Sequence, residues 1–381
     1  MAIESKKYIN IGSVDKTQPS QVNGGGVISV NGKTGIVELT AEDVGAMPLL
    51  KAIDGDLTIS YEKVVGYETC RGQVLLTSVD FPNVKWGYMN DTFYNCQGLT
   101  EIKGFDKVTD GYFYYAFGKC SNLATIQDGV FSRFDGEGVN GPQYTGTFEG
   151  TFYLCSSLKT IPANMFGSVR YLRNGMFRQT FEAAGLEEIP TGFFGNIVED
   201  ENTPAINYAY AFYNTFKECK FESIPTGFLG NLKYIRNYEF SGTFMYCRQL
   251  KSIPDTFFDN LEGWAENDTT WYGNNGMTGM FQYCSDLEGS VVFRKLTRLG
   301  YYMLQSMFAR TKISSISFPA LTPDSFSHSD YTTFNYMLQG VTGCTVHFPA
   351  NVQSVIGNWS SVTGGFSGTN TTVLFDLPNV E

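Results

Sequence analysis

Eight cysteines are the most reactive side chains that this sequence of 381 residues offers. A deprotonated thiol can act as a nucleophile or a metal ligand, and two thiols can form a disulfide. No cysteine has a partner at CxxC or CxxH spacing, which a zinc site would favour. Free cysteine behaves as a small apolar residue and is commonly buried, so we predict buried free thiols. Six of the eight recur at one position of a repeated pattern, namely Cys96, Cys120, Cys155, Cys219, Cys247 and Cys284.

The two histidines, His328 and His347, give little support for acid–base catalysis. His328 lies in a Ser- and Asp-rich segment, and His347 lies in a predicted strand. We find no Gly-x-Ser-x-Gly elbow, no phosphate-binding glycine loop and no clustered set of metal ligands. A carboxylate pair for glycoside hydrolysis needs only spatial proximity, so that alternative stays open from the sequence. We predict a protein that is not an enzyme and that binds no metal and no cofactor.

Ligand recognition is the chemistry that one aromatic and polar segment suggests. The predicted binding residues are Trp264, Asp268, Trp271, Tyr272 and Asn274. Flat rings suit the C–H faces of sugars, amides and carboxylates suit their hydroxyls, and exposed aromatic residues also anchor protein interfaces. The structural alternative is that both tryptophans fold into the interior.

A repeated pattern must position all of these residues. It consists of Phe, Cys three residues later, Leu three later and Ile three later, often followed by Pro. One copy cannot bury its own apolar face, so we predict stacked turns. The Leu-x-x-Ile step is predicted as a short parallel strand, and the segment ending in Phe-x-x-Cys as a helical or 3₁₀ return. The predicted core ladder comprises Phe93, Cys96, Phe117, Cys120, Phe152, Cys155, Cys219, Phe244, Cys247, Phe281 and Cys284. Degenerate copies begin at Phe308 and near Phe334.

Long and short turns alternate, and one long turn together with one short turn has a nearly constant length. Phe117 to Phe181 and Phe244 to Phe308, for example, each span 64 residues. Acidic inserts occupy the long turns at 135–144, 199–208 and 262–275. Basic pairs occupy the short turns, namely Arg170 and Arg173, Lys233 and Arg236, and Lys295 and Arg298. One interpretation is that these neighbours form exposed ion pairs, which are worth about 0–1 kcal/mol each. The other is that the inserts form a row of binding loops.

Composition excludes several classes of partner. The net charge of −11 and pI of about 4.8 argue against a general nucleic-acid binder and against docking on anionic lipid. The sequence contains no apolar run of about 18 residues, so we expect no membrane insertion. The first residues lack the apolar core of a secretory signal.

The N-terminal residues predict an attachment region. Residues 1–24 are predicted as an extended arm and residues 25–50 as a hairpin followed by a helix start, too small to fold alone. The predicted attachment and trimerisation residues are Val30, Asn31, Gly32, Lys33, Thr34, Gly35 and Val44. Residues 29–46 resemble the N-terminal module of bacteriophage fibre proteins. That resemblance implies a homotrimer, attachment to a phage capsid or tail protein, and display on the virion surface after assembly in the host cytoplasm.

The repeated pattern over roughly residues 85–345 resembles the BspA-like leucine-rich repeat of bacterial surface proteins and some phages. The resemblance implies a fold that is mostly β or α+β, a leucine-rich-repeat solenoid at 81–345 with caps at 51–80 and 346–381. We predict a phage fibre, on the head in preference to the tail, whose array binds a host-surface protein or carbohydrate. One alternative is a BspA-like adhesin of the bacterial surface, for which we recognise neither a secretion signal nor a wall anchor. Another is a capsid decoration protein without receptor binding.

Overall fold

The computed structural model describes only the backbone of residues 37–39. The other described residues are 53–136, 146–194, 197, 209–265, 273–356, 366 and 368–379. Twelve strands lie in this part of the chain: β1 Val37–Leu39, β2 Gly55–Ile59, β3 Lys63–Val65, β4 Leu76–Phe81, β5 Trp86–Tyr88, β6 Glu101–Gly104, β7 Asp110–Tyr112, β8 Thr125–Ile126, β9 Glu288–Val292, β10 Lys312–Ser317, β11 Thr345–Pro349 and β12 Thr372–Leu377. Short 3₁₀ helices span Pro323–Phe326, Tyr331–Phe334 and Ala350–Val352, and α1 spans Gln353–Ile356.

All pairings of these strands are parallel, which confirms the predicted solenoid. One sheet has the order β1-β2-β4-β6-β8, a second has β3-β5-β7 and a third has β12-β11-β10-β9. The register aligns Leu57 with Val79, Val79 with Ile102 and Ile102 with Ile126. Each turn therefore adds one apolar residue to a continuous inner column.

The middle of the array keeps the register but loses regular strands. Between β8 and β9, the described residues show an isolated parallel bridge between Ser223 and Ser252, and backbone bonds such as Glu187 N–H to Lys159 O at 2.9 Å. The sequence explains the difference, because four turns of this region have proline directly after the isoleucine of the pattern. Proline has no N–H to donate, so the ladder stops there. These prolines are Pro162, Pro190, Pro225 and Pro254.

The return segment is a stack of β-turns, so the predicted helical or 3₁₀ return is wrong for the Phe-x-x-Cys segments. Within a turn, the N–H of Thr151 donates to Phe148 O at 3.1 Å. The next N–H, on Phe152, donates to Thr180 O of the following turn at 2.8 Å. Alternate N–H groups thus close β-turns and join neighbouring turns, which satisfies the backbone without a helix.

The interior is built from columns of identical residues. Phe152 stacks on Phe117 at 5.9 Å and on Phe181 at 5.5 Å between ring centroids. This stack runs without interruption through Phe93, Phe117, Phe152, Phe181, Phe216, Phe244, Phe281 and Phe308. A second column four residues earlier contains Phe113, Phe148, Phe177, Phe212 and Phe240.

Phe334 does not continue the first column, which corrects the alignment of the last copy. The N–H of Phe308 donates to Met337 O, whereas that of Leu304 donates to Thr333 O. Leu338 is therefore the counterpart of Phe308, and Phe334 belongs to the second column. The two columns lie four residues apart in each turn and both contain phenylalanine. The sequence alone therefore does not show to which column Phe334 belongs.

All eight cysteines are buried free thiols. The Cys155 thiol donates to Phe117 O at 3.2 Å and the Cys219 thiol to Phe181 O at 3.2 Å, each on the preceding turn. A threonine column missed in the sequence makes the same kind of bond, as in Thr151 Oγ1 to Phe113 O at 2.7 Å. Burial raises the pKa of Cys96 to about 12, so its reactive thiolate does not form near neutral pH.

Strand β1 lies inside the segment that we predicted as a separate hairpin module. Its residue Val37 pairs in parallel with Leu57 of β2, so β1 extends the sheet of the solenoid. The attachment residues Val30, Asn31, Gly32, Lys33, Thr34, Gly35 and Val44 lie outside the described residues.

Candidate ligand-binding surface

The β-turn stack presents an outer surface, here called the turn face, that consists of its outward side chains. Every fourth residue of a turn has a left-handed backbone, as in Tyr210, Asn214 and Glu218 with φ of 64°, 54° and 65°. These side chains point away from the Phe216 column and are half-buried or exposed. The turn face is thus a regular grid of side chains on a rigid rod.

Among the described residues, seven tyrosines occupy these left-handed positions. For a residue with a side chain, this conformation costs about 1–2 kcal/mol, and glycine avoids the cost. Glycine does occupy the same columns in other turns, for example Gly150, Gly242 and Gly279. A bulky ring at such a position therefore needs a compensating contact. The seven are Tyr115, Tyr210, Tyr238, Tyr246, Tyr283, Tyr302 and Tyr336.

In the middle of the turn face, neighbouring turns supply that contact. The Tyr115 ring covers Gly150, where a Cβ would lie 2.4 Å from the ring. Its hydroxyl donates to Gln179 Oε1 at 3.0 Å, and Gln179 Nε2 donates to Glu182 Oε2 at 2.7 Å. Lys217 Nζ lies 2.7 Å from Glu182 Oε1. This polar network is closed upon itself.

Glu149 and Arg178 lie in the same region. Together with Tyr115, Gln179, Glu182 and Lys217, they are here called the closed region of the turn face. Burial raises the pKa of the Glu149 carboxyl, and the guanidinium of Arg178, with Nε 3.6 Å from Oε1, opposes that rise. The guanidinium also lies over the rings of Tyr210 and Tyr213, at 5.8 and 5.4 Å from their centroids. Cation–π contacts of this kind stabilise an arginine that is partly removed from water.

Two pairs of the seven tyrosines stack face to face. Tyr210 and Tyr238 lie 5.0 Å apart with an interplanar angle of 5°. Tyr246 and Tyr283 lie 4.6 Å apart with an angle of 7°. Each pair covers one face of each ring, and Arg178 and Arg248 also lie over Tyr210 and Tyr246.

The C-terminal part of the turn face is different, because its rings are open. Tyr301, Tyr302 and Tyr336 have exposed fractions of 38%, 39% and 44%. Asn274 Oδ1 accepts from Tyr301 N at 3.1 Å, and Thr278 Oγ1 donates to Tyr302 O at 2.7 Å. These contacts fix the backbone of the tyrosines and leave the rings uncovered.

The predicted binding residues divide between the interior and the region outside the described chain. Trp264 is only 8% exposed, lies 5.0 Å from the ring of His328, and packs under Arg298 at 5.9 Å. Its ring belongs to the core, as the structural alternative for this tryptophan held, so it is not an exposed platform for a ligand. Asp268, Trp271 and Tyr272 lie outside the described residues. Asn274 lies on the turn face beside Tyr301.

A buried and a half-buried arginine explain part of the alternation between acidic and basic turns. Arg173 Nε donates to Gly136 O at 3.1 Å, and its Nη1 lies 3.2 Å from Asp110 Oδ1. Arg298 Nε donates to Trp264 O at 2.7 Å. These two arginines, the second members of their basic pairs, hold the first residues of the inserts at 135–144 and 262–275. The ion-pair interpretation holds in part for Arg298, whose Nη2 lies 3.6 Å from Glu262 Oε2, and it does not describe the bonds to the two carbonyls.

The remaining sequence candidates for chemistry lie apart from the turn face. His347 Nδ1 lies 3.0 Å from both carboxylate oxygens of Asp376, between β11 and β12. Within the described ranges, no group of three or more His, Cys, Asp or Glu side chains has the geometry to hold a metal ion. In the same ranges, no helix combines the length and the apolar character needed to cross a membrane.

Comparison with known proteins gives the family. The model of the BspA-type leucine-rich repeat region matches residues 63–196 and 209–337 in six copies, which is more than half of the chain. The chain belongs to the BspA-type leucine-rich repeat family. The match covers the array and does not reach residues 29–46, so the resemblance of that segment to phage fibres stays a prediction.

Two solved structures are similar to this leucine-rich-repeat chain. One is a leucine-rich cell surface protein from Faecalibacterium prausnitzii A2-165, with 18% identity, 83% of each chain covered and a TM-score of 0.30. The other is a leucine-rich repeat protein from Bacteroides ovatus ATCC 8483, with 15% identity, 85% of this chain and 95% of that chain covered, and a TM-score of 0.25. Comparison with curated proteins finds no match.

Proposed function

We propose that this protein is a non-enzymatic recognition protein, an adhesin of the BspA type, that binds a surface ligand through its turn face. The observation that carries this proposal is the placement of seven tyrosines at left-handed backbone positions on one face of the rod. Tyrosine supplies a large contact area with little loss of conformational entropy, and it is enriched at binding hot spots. A stack of turns repeats such contacts along its length, which suits a surface with many copies of one ligand.

The outer side of the parallel strands and of the bridges that continue them, here called the strand face, is a weaker candidate. Its exposed charges pair with each other, as in Lys159 with Glu187 at 2.8 Å and Lys251 with Glu222 at 2.6 Å. Such pairs leave little unsatisfied charge for a partner. The strand face therefore serves as the reference surface in the test below.

Selective blocking of one face tests the proposal. The native thiols are buried, so a cysteine introduced at an exposed site reacts selectively with a bulky maleimide–polyethylene glycol reagent. Glu218→Cys places the polymer on the turn face, and Lys251→Cys places it on the strand face. The full chain, fixed to beads, is scored for retention on intact epithelial and bacterial cells before and after coupling.

Coupling at Glu218→Cys is expected to abolish retention, and coupling at Lys251→Cys is expected to leave it unchanged. Absence of retention of the uncoupled protein on both kinds of cell overturns the adhesin proposal. Retention that is lost only on coupling at Lys251→Cys moves the binding surface to the strand face and overturns the assignment to the turn face.

The sequence of residues 29–46 favours a second candidate function. We propose that this segment attaches the array to a phage particle, so that the adhesin is a virion fibre and a homotrimer. Immunogold labelling of purified virions and light scattering of the full chain test both parts. Label on the particle and a mass three times 42.4 kDa support the fibre. Label on bacterial envelopes alone removes it and leaves the adhesin proposal standing.

A further inference from the structure

Tyr302 and Tyr336 carry backbone strain that no ring contact within the described chain offsets. Their φ angles are 57° and 58°, in the left-handed region. Tyr210 and Tyr238 occupy the same kind of position but stack on each other at 5.0 Å. Among the described residues, no aromatic or cationic side chain stacks on Tyr302 or Tyr336. Glycine is free of this strain, and a contact from outside this part of the chain would offset its cost at both rings.

The surroundings of the two rings define the chemistry of that contact. Residues 273–283, 301–309 and 331–339 contain no charged side chain, although Arg310 and Asp330, of opposite sign, directly flank these segments. They belong to successive turns, because Asn275 N–H donates to Tyr301 O and Ser306 N–H donates to Asn335 O, both at 3.0 Å. Beside the tyrosines this surface offers amide and hydroxyl groups. The turns nearer the N-terminus differ, since they carry charged side chains such as Glu149.

Rings with uncovered faces, surrounded by amides and hydroxyls, match a ligand that has both C–H faces and hydroxyl groups. A pyranose ring has both, and its hydroxyls can donate to and accept from amide side chains. The three segments present only uncharged polar groups, and the flanking Arg310 and Asp330 have opposite charges, so this surface favours a neutral sugar. The net charge of −11 also disfavours acidic glycans through repulsion.

We propose that Tyr301, Tyr302 and Tyr336, together with Asn274, form a binding site for a neutral oligosaccharide. The inference rests on the proposed recognition function and assigns it a ligand class and a location. Asn274 connects this site with the segment in which the sequence predicted sugar binding, while Tyr301 takes the role of exposed ring that Trp264 cannot fill.

The test separates binding from stability by using glycine. In the double variant Tyr302→Gly/Tyr336→Gly, the backbone strain is relieved, and the melting temperature is expected to be no lower than that of the wild type. The matched control is Tyr210→Gly, which removes a stacked ring at an equivalent position and is expected to lower the melting temperature. Saturation-transfer NMR and calorimetry with the full chain use maltohexaose, cellohexaose, mannohexaose and xylohexaose as neutral probes. Sialyllactose and a heparin hexasaccharide serve as acidic comparators.

The proposal predicts binding of at least one neutral hexasaccharide, with affinity reduced about tenfold or more in the double variant and reduced less in Tyr210→Gly. No binding of any neutral probe, or equal binding by the double variant, overturns it. Preference for the acidic probes also overturns it. If the double variant loses retention on cells although no sugar binds, the ligand is a protein: the sugar site is then wrong and the adhesin proposal stands. If the double variant both binds sugar and is retained on cells like the wild type, the tyrosine site is wrong while the turn face as a whole keeps its role.

Discussion

The inner and outer sides of the same β-turns differ in how their residues repeat. On the inner side, Thr215 and Phe216 have a threonine and a phenylalanine as counterparts in several other turns. On the outer side, the position of Asn214 is taken by tyrosine, glycine, glutamine or serine in other turns. Interior positions are fixed by packing against identical neighbours, whereas outer positions are constrained by the left-handed backbone and by contacts that differ from turn to turn. The outer side is therefore the part of the repeat that can vary to suit a ligand.

The largest expected effect comes from the inner column. Phe216→Ala removes a fully buried ring that stacks on Phe181 at 5.4 Å and on Phe244 at 5.9 Å. The loss of transfer free energy and the cavity should reduce the free energy of unfolding by about 3–5 kcal/mol. Tyr336→Ala, on the outer side, should change it by about 0.5 kcal/mol or less. Urea denaturation measures both, and similar values for the two variants would remove the distinction between the sides.

A smaller effect compares two hydroxyl groups that each bond to a neighbouring turn. Thr215 Oγ1 donates to Phe177 O at 2.7 Å in the interior, and Thr278 Oγ1 donates to Tyr302 O at 2.7 Å on the outer side. Thr215→Val should cost about 1 kcal/mol, because the Phe177 carbonyl keeps only its backbone bond from Thr180. Thr278→Val should cost less, since water can replace the hydroxyl. If both substitutions lowered the free energy of unfolding equally in chemical denaturation, burial would not determine how much this hydrogen bond stabilises the fold.

The contribution of the closed region of the turn face to the free energy of unfolding should depend on pH. Burial raises the pKa of Glu149 above the ordinary 4.5. A carboxyl with a raised folded-state pKa binds protons more tightly in the folded state, so its contribution is present below the unfolded pKa and is lost as pH rises through the folded pKa. The free energy of unfolding of the wild type minus that of Glu149→Gln should therefore fall as pH rises above about 4.5. A difference that grows with pH would mean that Arg178 outweighs burial.

The sequence predicted the columns because identical letters recur at equal steps, as Phe152 and Cys155 show. It did not predict the buried role of Arg173, since the Gly136 carbonyl that this side chain binds lies on another turn. It also did not predict the left-handed tyrosines, because a positive φ has no sequence signal when the residue is not glycine. Glycines four residues apart, such as Gly146 and Gly150, were the available signal for the β-turn stack.

The smallest expected effect tests whether burial also separates two ion pairs of similar length. Lys251 and Glu222 lie 2.6 Å apart on the strand face with side chains 60% and 63% exposed. Lys217 and Glu182 lie 2.7 Å apart within the closed region of the turn face, with side chains 20% and 9% exposed. A double-mutant cycle with alanine should give the first pair a coupling of about 0–1 kcal/mol, because water screens it and both side chains lose rotamer freedom.

The second pair should couple more strongly and respond less to salt, because removing one partner leaves a charge in a partly desolvated network. Cycles measured at low and high sodium chloride distinguish the two. If the exposed pair coupled as strongly as the inner one at high salt, the strand face would hold its charges in a fixed, specific arrangement. It would then rival the turn face as a binding surface, and the contrast between the two faces of the rod would have to be abandoned.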